Sequence, residues 1–98
     1  EVAIMSLEDL RAEVQRVDRE IIRLIDKRVR LAEDIFESKK ALGVKIEDKN
    51  QEKLVMKRAL DNATELGLDA GAIKEIFATL IRMSLEKQHE LLGENNLP

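Results

Sequence analysis

Residues 7–42 read LEDLRAEVQRVDREIIRLIDKRVRLAEDIFESKKAL and contain neither glycine nor proline. Apolar side chains recur along this stretch mostly in alternating steps of three and four, at Leu7, Leu10, Val14, Val17, Ile21, Leu24, Leu31, Ile35 and Leu42. That spacing places them on one face of an α-helix. Ser6 is suited to cap the first turn and Gly43 to end the last one, so the sequence predicts one unbroken helix over residues 7–42.

Such a helix is about 50 Å long, more than a compact domain of this size can cover. The shorter segments that follow can pack against only part of its apolar face. We therefore expect a second copy of the chain to cover the remainder.

Two shorter helices are predicted after residue 42. Asp48 is a good N-cap for a helix that runs from residue 49 to about residue 66, where Gly67 ends it. Asp69 can cap a third helix. Its apolar residues follow the helical period, at Ile73, Ile76, Phe77, Leu80, Ile81, Leu85, Leu91 and Leu92. The predicted fold class is all-α, with one long and two shorter helices in a single domain over residues 1–98. Residues 1–5 are read as a leader or fusion scar and residues 93–98 as a loose tail.

The composition excludes several classes of function. Aromatic residues are only 2% of the chain against 44% hydrophobic residues, so aliphatic side chains must fill the interior, as in helix bundles. The net charge of −3 and the absence of a basic face argue against nucleic acid. Without cysteine, disulfides and thiolate metal sites are excluded. No segment resembles a signal-peptide core or a membrane span, so we expect a cytoplasmic protein without a membrane partner.

Cations interrupt the apolar face of the long helix. Arg28 lies on that face, and Lys39 lies beside Ser38, the second polar position. The two cations are eleven residues apart, which is about 16 Å along a helix. An unpartnered cation at a buried seam is costly, so either acidic side chains or an anionic ligand must neutralise this pair.

Other polar residues lie near the predicted seams: Arg11, Asp48, Glu52, Ser84 and Gln88. Each has an ordinary structural explanation, such as a cap for Asp48, a helix crossing for Ser84 or a snorkelling side chain for Arg28. The one histidine, His89, is expected to be exposed. The joint occurrence of the polar residues favours a binding site. The set offers no nucleophile, no metal-ligand spacing and no cofactor motif.

Arg11 adds a geometric constraint. On a straight helix it lies about 25 Å from Arg28 and is rotated from it by about 100°. The two arginines cannot reach one small ligand from the same helix. If both serve one site, a second subunit must supply one of them.

These residues carry a resemblance to the all-helical chorismate mutases over about residues 7–92. The matching features are Leu10-Arg11 with Asp18, Lys27-Arg28 with Leu31-Ala32, Lys39, Asp48 with Glu52, and Ser84 with Gln88. The resemblance implies an intertwined, domain-swapped homodimeric helical bundle. It also implies the Claisen rearrangement of chorismate to prephenate, a step towards phenylalanine and tyrosine, without a metal or cofactor.

The resemblance further implies the roles of single residues. Arg28 and the partner chain's Arg11 would bind the two substrate carboxylates. Lys39 and Gln88 would donate to the ether oxygen as the C–O bond breaks. Glu52 would accept from the ring hydroxyl, and the substrate shell would be completed by Asp48 and Ser84.

One position departs from the family pattern. The family commonly has arginine immediately before the glutamate of the second helix, and this chain has Gln51. The change removes a cation near the substrate. It predicts either weaker affinity for a dianion or a role transferred to Lys49.

Other functions remain open at this stage. Isochorismate-pyruvate lyase uses the same helical frame, although Asp48 with Glu52 looks more like the mutase. A non-catalytic regulatory or assembly domain from a shikimate-pathway fusion is a second alternative, against which the complete cationic set argues. A helical interaction module is the third, and it predicts no affinity for small dianions.

Overall fold

The computed structural model describes residues 4–93, and this part of the chain forms three α-helices and no strand. They are α1 (Leu7–Leu42), α2 (Lys49–Glu65) and α3 (Ala70–Leu92). The predicted all-helical fold is confirmed for these residues, and the predicted ends agree to within about one residue. The expected leader and tail fall largely outside the described range. Gly93, assigned to the tail, is instead the C-cap of α3, with φ of 88°.

Local capping explains where α1 begins and ends. The Ser6 hydroxyl accepts from the backbone N–H of Asp9 at 3.0 Å, and the Asp9 carboxylate accepts from the Ser6 N–H at 3.3 Å. This reciprocal pair satisfies two N–H groups that the first turn leaves without partners. At the other end Gly43 adopts φ of 68°, a left-handed conformation that glycine reaches at little cost.

The three helices pack through α3. Within residues 4–93, α3 contacts both α1 and α2, which do not contact each other. The buried apolar residues are few and come from α1, the linker after it and α2: Ala32, Phe36, Ile46, Ala59 and Ala63. The small core therefore draws on the C-terminal half of α1, the linker after it and the second half of α2, and α3 packs against both helices.

The N-terminal half of α1 projects beyond this core. The molecule measures 62 × 28 × 23 Å, and its radius of gyration is 17.9 Å. A compact domain of this length has a radius of about 13 Å. Most of the predicted apolar face of α1 is exposed in the single chain: Leu7, Leu10, Val14, Val17, Ile21, Leu24, Leu31 and Ile35. In the part of the chain described, none of the helices combines the length and apolar character that a membrane span requires.

Candidate active site

A cavity of about 290 Å³ opens between α1, the start of α2 and the C-terminal half of α3. Most of the side chains singled out from the sequence line it: Arg28, Lys39, Asp48, Gln51, Glu52, Ser84 and Gln88. Residues far apart in sequence are thus brought to one place. Arg11 is exposed on the projecting half of α1 and does not line the cavity.

Two hydrogen bonds hold the Lys39 ammonium group at one end of the cavity. Its ammonium group donates to the side-chain oxygen of Gln88 at 2.9 Å and to the backbone carbonyl of Ile46. An ammonium group carries three donors. Two are therefore used within the chain, and the third is left for a ligand.

Gln88 is the most buried polar residue of the site, with 2% of its surface exposed. Its amide nitrogen donates to the carbonyl and the hydroxyl of Ser84, both at 3.2 Å. Because Lys39 offers only donors, the amide oxygen must face it, and the nitrogen then lies on the Ser84 side. The orientation of this amide follows from its neighbours at both ends.

Arg28 is half-buried in the wall formed by α1 and α3. Its guanidinium donates to the backbone carbonyl of Leu80 at 2.9 Å, which leaves other N–H donors free. Partial burial lowers the pKa of Arg28 below its ordinary value, because desolvation disfavours the charged form. The guanidinium group nevertheless stays protonated at neutral pH, so Arg28 remains a cation.

Acidic side chains do not neutralise this pair of cations. Among residues 4–93, no carboxylate forms an ion pair with Arg28 or Lys39, and their hydrogen-bond acceptors are carbonyl and amide oxygens. Asp48 instead caps α2, where its carboxylate accepts from the backbone N–H of Gln51 at 3.1 Å. The cavity therefore offers two cations that no carboxylate pairs directly, although Asp48 and Glu52 also line it.

Glu52 brings a carboxylate acceptor into the same cavity. Its buried Oε2 has no hydrogen-bond donor within residues 4–93. The nearest cation is Lys49, whose ammonium lies 3.6 Å from that oxygen and 3.4 Å from Glu47. The carboxylates of Glu52 and Glu47 raise the pKa of Lys49 above its ordinary value of 10.5. A ligand hydroxyl would supply the hydrogen bond that Oε2 lacks.

The expectation of an exposed His89 is wrong. Its side chain retains 24% of its accessible surface and lies 3.6 Å from the Glu47 carboxylate. The linker after α1 passes over this end of α3, so tertiary packing covers a position that the helical pattern leaves outside. Glu47 therefore connects α3, through His89, with Lys49 in the first turn of α2.

Sequence reasoning also missed the backbone acceptors that hold the cations. The carbonyl groups of Ile46 and Leu80 carry no signal in the side-chain pattern. Apolar walls complete the cavity: Leu31, Ile35, Ile46, Val55, Ile81 and Leu85. Over residues 4–93, no three histidine, aspartate or glutamate side chains are grouped so that they could hold a metal ion.

The fold and the cavity define the class as an all-helical protein with an apolar-walled cavity that contains two cations without carboxylate partners. The chain belongs to the chorismate mutase type II family, whose model matches residues 10–89. It is 32% identical over 91 residues to a chorismate mutase from Methanocaldococcus jannaschii, a match that covers 93% of this chain and 92% of that protein. The family expected from the sequence is thereby confirmed.

A second relative is a fused protein. Over 91 residues the chain is 30% identical to a bifunctional chorismate mutase/prephenate dehydratase from Buchnera aphidicola subsp. Schizaphis graminum. The match covers 89% of this chain and 24% of that protein.

Proposed function

We propose that this protein catalyses the Claisen rearrangement of chorismate to prephenate. The observation that carries the proposal is the cavity into which Arg28 and Lys39 both project without an acidic partner. Chorismate is a dianion with an ether oxygen between its ring and its side chain. Family membership and the relatives named as chorismate mutases support this substrate.

Arg28 binds one substrate carboxylate in this proposal. Its contact with the Leu80 carbonyl holds the guanidinium in place, and its remaining donors form a fork that matches a carboxylate. The apolar walls exclude water from the ring and strengthen the charge interaction. The second carboxylate is bound by Arg11 of the partner subunit, because the chain's own Arg11 lies outside the cavity.

Lys39 and Gln88 act on the bond that breaks. The third ammonium hydrogen of Lys39 and an amide hydrogen of Gln88 donate to the ether oxygen as negative charge develops there. Both groups are held before substrate arrives, so they need little reorganisation during the reaction. A unimolecular rearrangement requires no nucleophile or general base, and holding the reactive conformer supplies the remaining acceleration.

The acidic and neutral residues complete the substrate shell. The buried oxygen of Glu52 accepts from the ring hydroxyl, which provides the donor that this oxygen lacks. Asp48 and Ser84 line the remaining cavity. Gln51 lies where the family commonly has arginine, so less positive charge faces the dianion at that edge.

The working form in this proposal is an intertwined homodimer. Val14 and Val17 are 58% and 54% exposed in one chain, within an apolar face that runs the length of α1. If the same face of a second α1 covers it, each Å² of apolar surface removed from water stabilises the dimer by about 25 cal/mol. An antiparallel pairing of the two helices also brings Arg11 of one chain towards Arg28 and Lys39 of the other.

The test is the loss of chorismate absorbance with identification of the product. The unchanged chain should form prephenate. Lys39→Ala should lower kcat/KM by about 100-fold or more, as does removal of an oxyanion donor. Lys40→Ala is the matched control, because Lys40 is the exposed neighbour and does not line this cavity.

The outcomes separate the candidate functions. A folded sample that leaves chorismate unchanged would refute the proposal and favour a non-catalytic domain. Pyruvate release from isochorismate without turnover of chorismate would identify the lyase instead. Helical circular dichroism of each variant distinguishes a lost catalytic group from a lost fold.

A further inference from the structure

We infer that Ser84 is a positioning residue that acts through Gln88, holding the amide so that one of its hydrogens faces the substrate's ether oxygen. The inference rests on the proposed function and deepens it. A residue that lines the cavity could instead contact the substrate directly. The positioning role of Ser84 therefore has to be argued from its contacts with Gln88.

The hydrogen-bonded chain Lys39–Gln88–Ser84 is continuous, and its central member, Gln88, is buried between two half-buried residues. Lys39 donates to the Gln88 oxygen at 2.9 Å, and the Gln88 nitrogen lies 3.2 Å from both Ser84 oxygens. With 2% of its surface exposed, Gln88 depends on protein partners for its orientation. In the inferred arrangement the two oxygens of Ser84, which lie at equal distances from the nitrogen, share one amide hydrogen, and the second hydrogen faces the cavity.

The opposite orientation of the amide is disfavoured at both ends. A glutamine amide rotated by 180° has almost the same shape, so only hydrogen bonding selects its direction. Rotation would place the Gln88 nitrogen against the Lys39 ammonium, two donors face to face. It would also place the Gln88 oxygen against the Ser84 carbonyl, two acceptors face to face, with the Ser84 hydroxyl as the one donor at that end.

The Ser84 hydroxyl matters most when substrate is bound. Lys39 then donates to the ether oxygen as well, so its hydrogen bond to the Gln88 oxygen contributes less to the orientation of the amide. The Ser84 oxygens lie on the nitrogen side of the amide, away from the Lys39 contact, and remain available. Removing the hydroxyl should therefore lower kcat and leave KM nearly unchanged.

A double-mutant cycle tests this in the intact protein. Ser84→Ala keeps the helix and the Ser84 carbonyl but removes the hydroxyl, and should lower kcat about fivefold, as expected for one neutral hydrogen bond. In the Gln88→Met background the same substitution should change kcat by less than about twofold, because nothing remains to be positioned. Equal effects in both backgrounds, a rise in KM alone, or no effect in either would overturn the inference.

A second readout needs no substrate and separates this inference from the proposed function. In protein labelled with ¹⁵N, the side-chain amide signals of Gln88 are identified by their disappearance in Gln88→Met. Ser84→Ala should shift these signals and speed their exchange with solvent. Unchanged signals refute the positioning role even if the enzyme is active. Shifted signals in a protein that does not convert chorismate support the positioning contact while refuting the mutase assignment.

Discussion

The ammonium nitrogen of Lys39 in α1 lies 2.9 Å from the side-chain oxygen of Gln88 in α3, across a separation of 49 positions in sequence. The bond joins the two helices at the end of the cavity. It also fixes which atom of the Gln88 amide faces the cation, because the ammonium only donates. One contact therefore contributes both to packing and to the arrangement of the proposed catalytic donors.

Gln88→Glu should make activity depend on pH. An ionised carboxylate only accepts, so at neutral pH it cannot donate to the ether oxygen, and it repels the charge that develops there. We expect kcat/KM to fall about 100-fold at pH 7 and to recover as the pH is lowered and the carboxyl is protonated. Rates with chorismate between pH 4.5 and pH 8 measure this.

Gln88→Met is the matched control for that change. It removes the donor without adding a titratable group, so its activity should be low throughout the same pH range. An equal recovery of Gln88→Met at low pH would contradict the assignment of the donor to residue 88.

Mixing two inactive variants tests whether the site is shared between subunits. Arg11→Ala and Lys39→Ala should each be nearly inactive. In a heterodimer of the two, one site takes Lys39 from one chain and Arg11 from the other and is complete. After exchange of subunits at equal amounts, half of the dimers are mixed, so about a quarter of the original activity should return.

The control for this experiment mixes Arg28→Ala with Lys39→Ala. Both residues line the cavity of the same chain, so every site in the mixed dimer lacks one of them. No activity should return. Recovery in the control, or its absence in the first mixture, would contradict a site shared through Arg11.

A charge on the exposed apolar face of α1 should disrupt the dimer. Val17→Asp places a carboxylate where we propose that the second chain packs, and burying an unpaired charge is costly. Sedimentation velocity should show a monomer or a partly unfolded chain, with activity lost. Gln15→Asp adds the same charge away from this face and should remain dimeric, whereas a dimeric Val17→Asp would contradict the proposed interface.

Gly43 should be sensitive to alanine because its backbone has φ of 68°. A side chain in this left-handed conformation costs about 1–2 kcal/mol, so Gly43→Ala should lower the free energy of unfolding by about that amount. Gly71, in the first turn of α3, has no positive φ, and an added Cβ would make only ordinary contact with Asp69 at 3.6 Å. Gly71→Ala should therefore raise stability by about 0.5–1 kcal/mol. Chemical denaturation of both variants gives the comparison.

Lys49 should stabilise the folded state, and this stabilisation should be lost at high pH. Its pKa is raised above 10.5, first by Glu52 and then by Glu47, so the folded state binds this proton more tightly than the unfolded state. The stabilisation is present in full below pH 10.5 and is lost as the pH rises through the raised value. The difference in Tm between the unchanged protein and Lys49→Gln should shrink over that range.

Lys53→Gln is the control for this titration. Lys53 is exposed one turn further along α2 and has no acidic partner within residues 4–93. Lys53→Gln removes a positive charge from the same helix without breaking an ion pair, so its Tm over the same pH range is the reference for Lys49→Gln. An equal pH dependence for both variants would show that the pairing of Lys49 with Glu52 and Glu47 contributes nothing specific.

The helices were predictable because their ends depend on local signals. Ser6 satisfies the first turn of α1, Asp48 caps α2, and Gly43 takes the conformation that ends α1. These contacts join residues within a few positions of one another, so the order of the amino acids suffices to identify them. The long apolar face of α1 could be predicted from spacing alone for the same reason.

The polar residues of the cavity could be selected from the sequence, but their partners could not. Arg28 and Lys39 interrupt an apolar face, and the family resemblance grouped them with Ser84 and Gln88. Which groups neutralise or orient the two cations depends on how α3 and the linker pack against α1. His89, expected to be exposed, is half-buried for this same reason.

The sequence by itself determined the three helices, their boundaries, the family and the residue types of the site, because short-range spacing and capping carry that information. Only the tertiary structure decided that the Ile46 and Leu80 carbonyls hold Lys39 and Arg28, and that the Gln88 oxygen faces Lys39. Backbone acceptors are the same at every residue, and an amide has two orientations of nearly equal shape. The choice is therefore made by the atoms that folding places beside them.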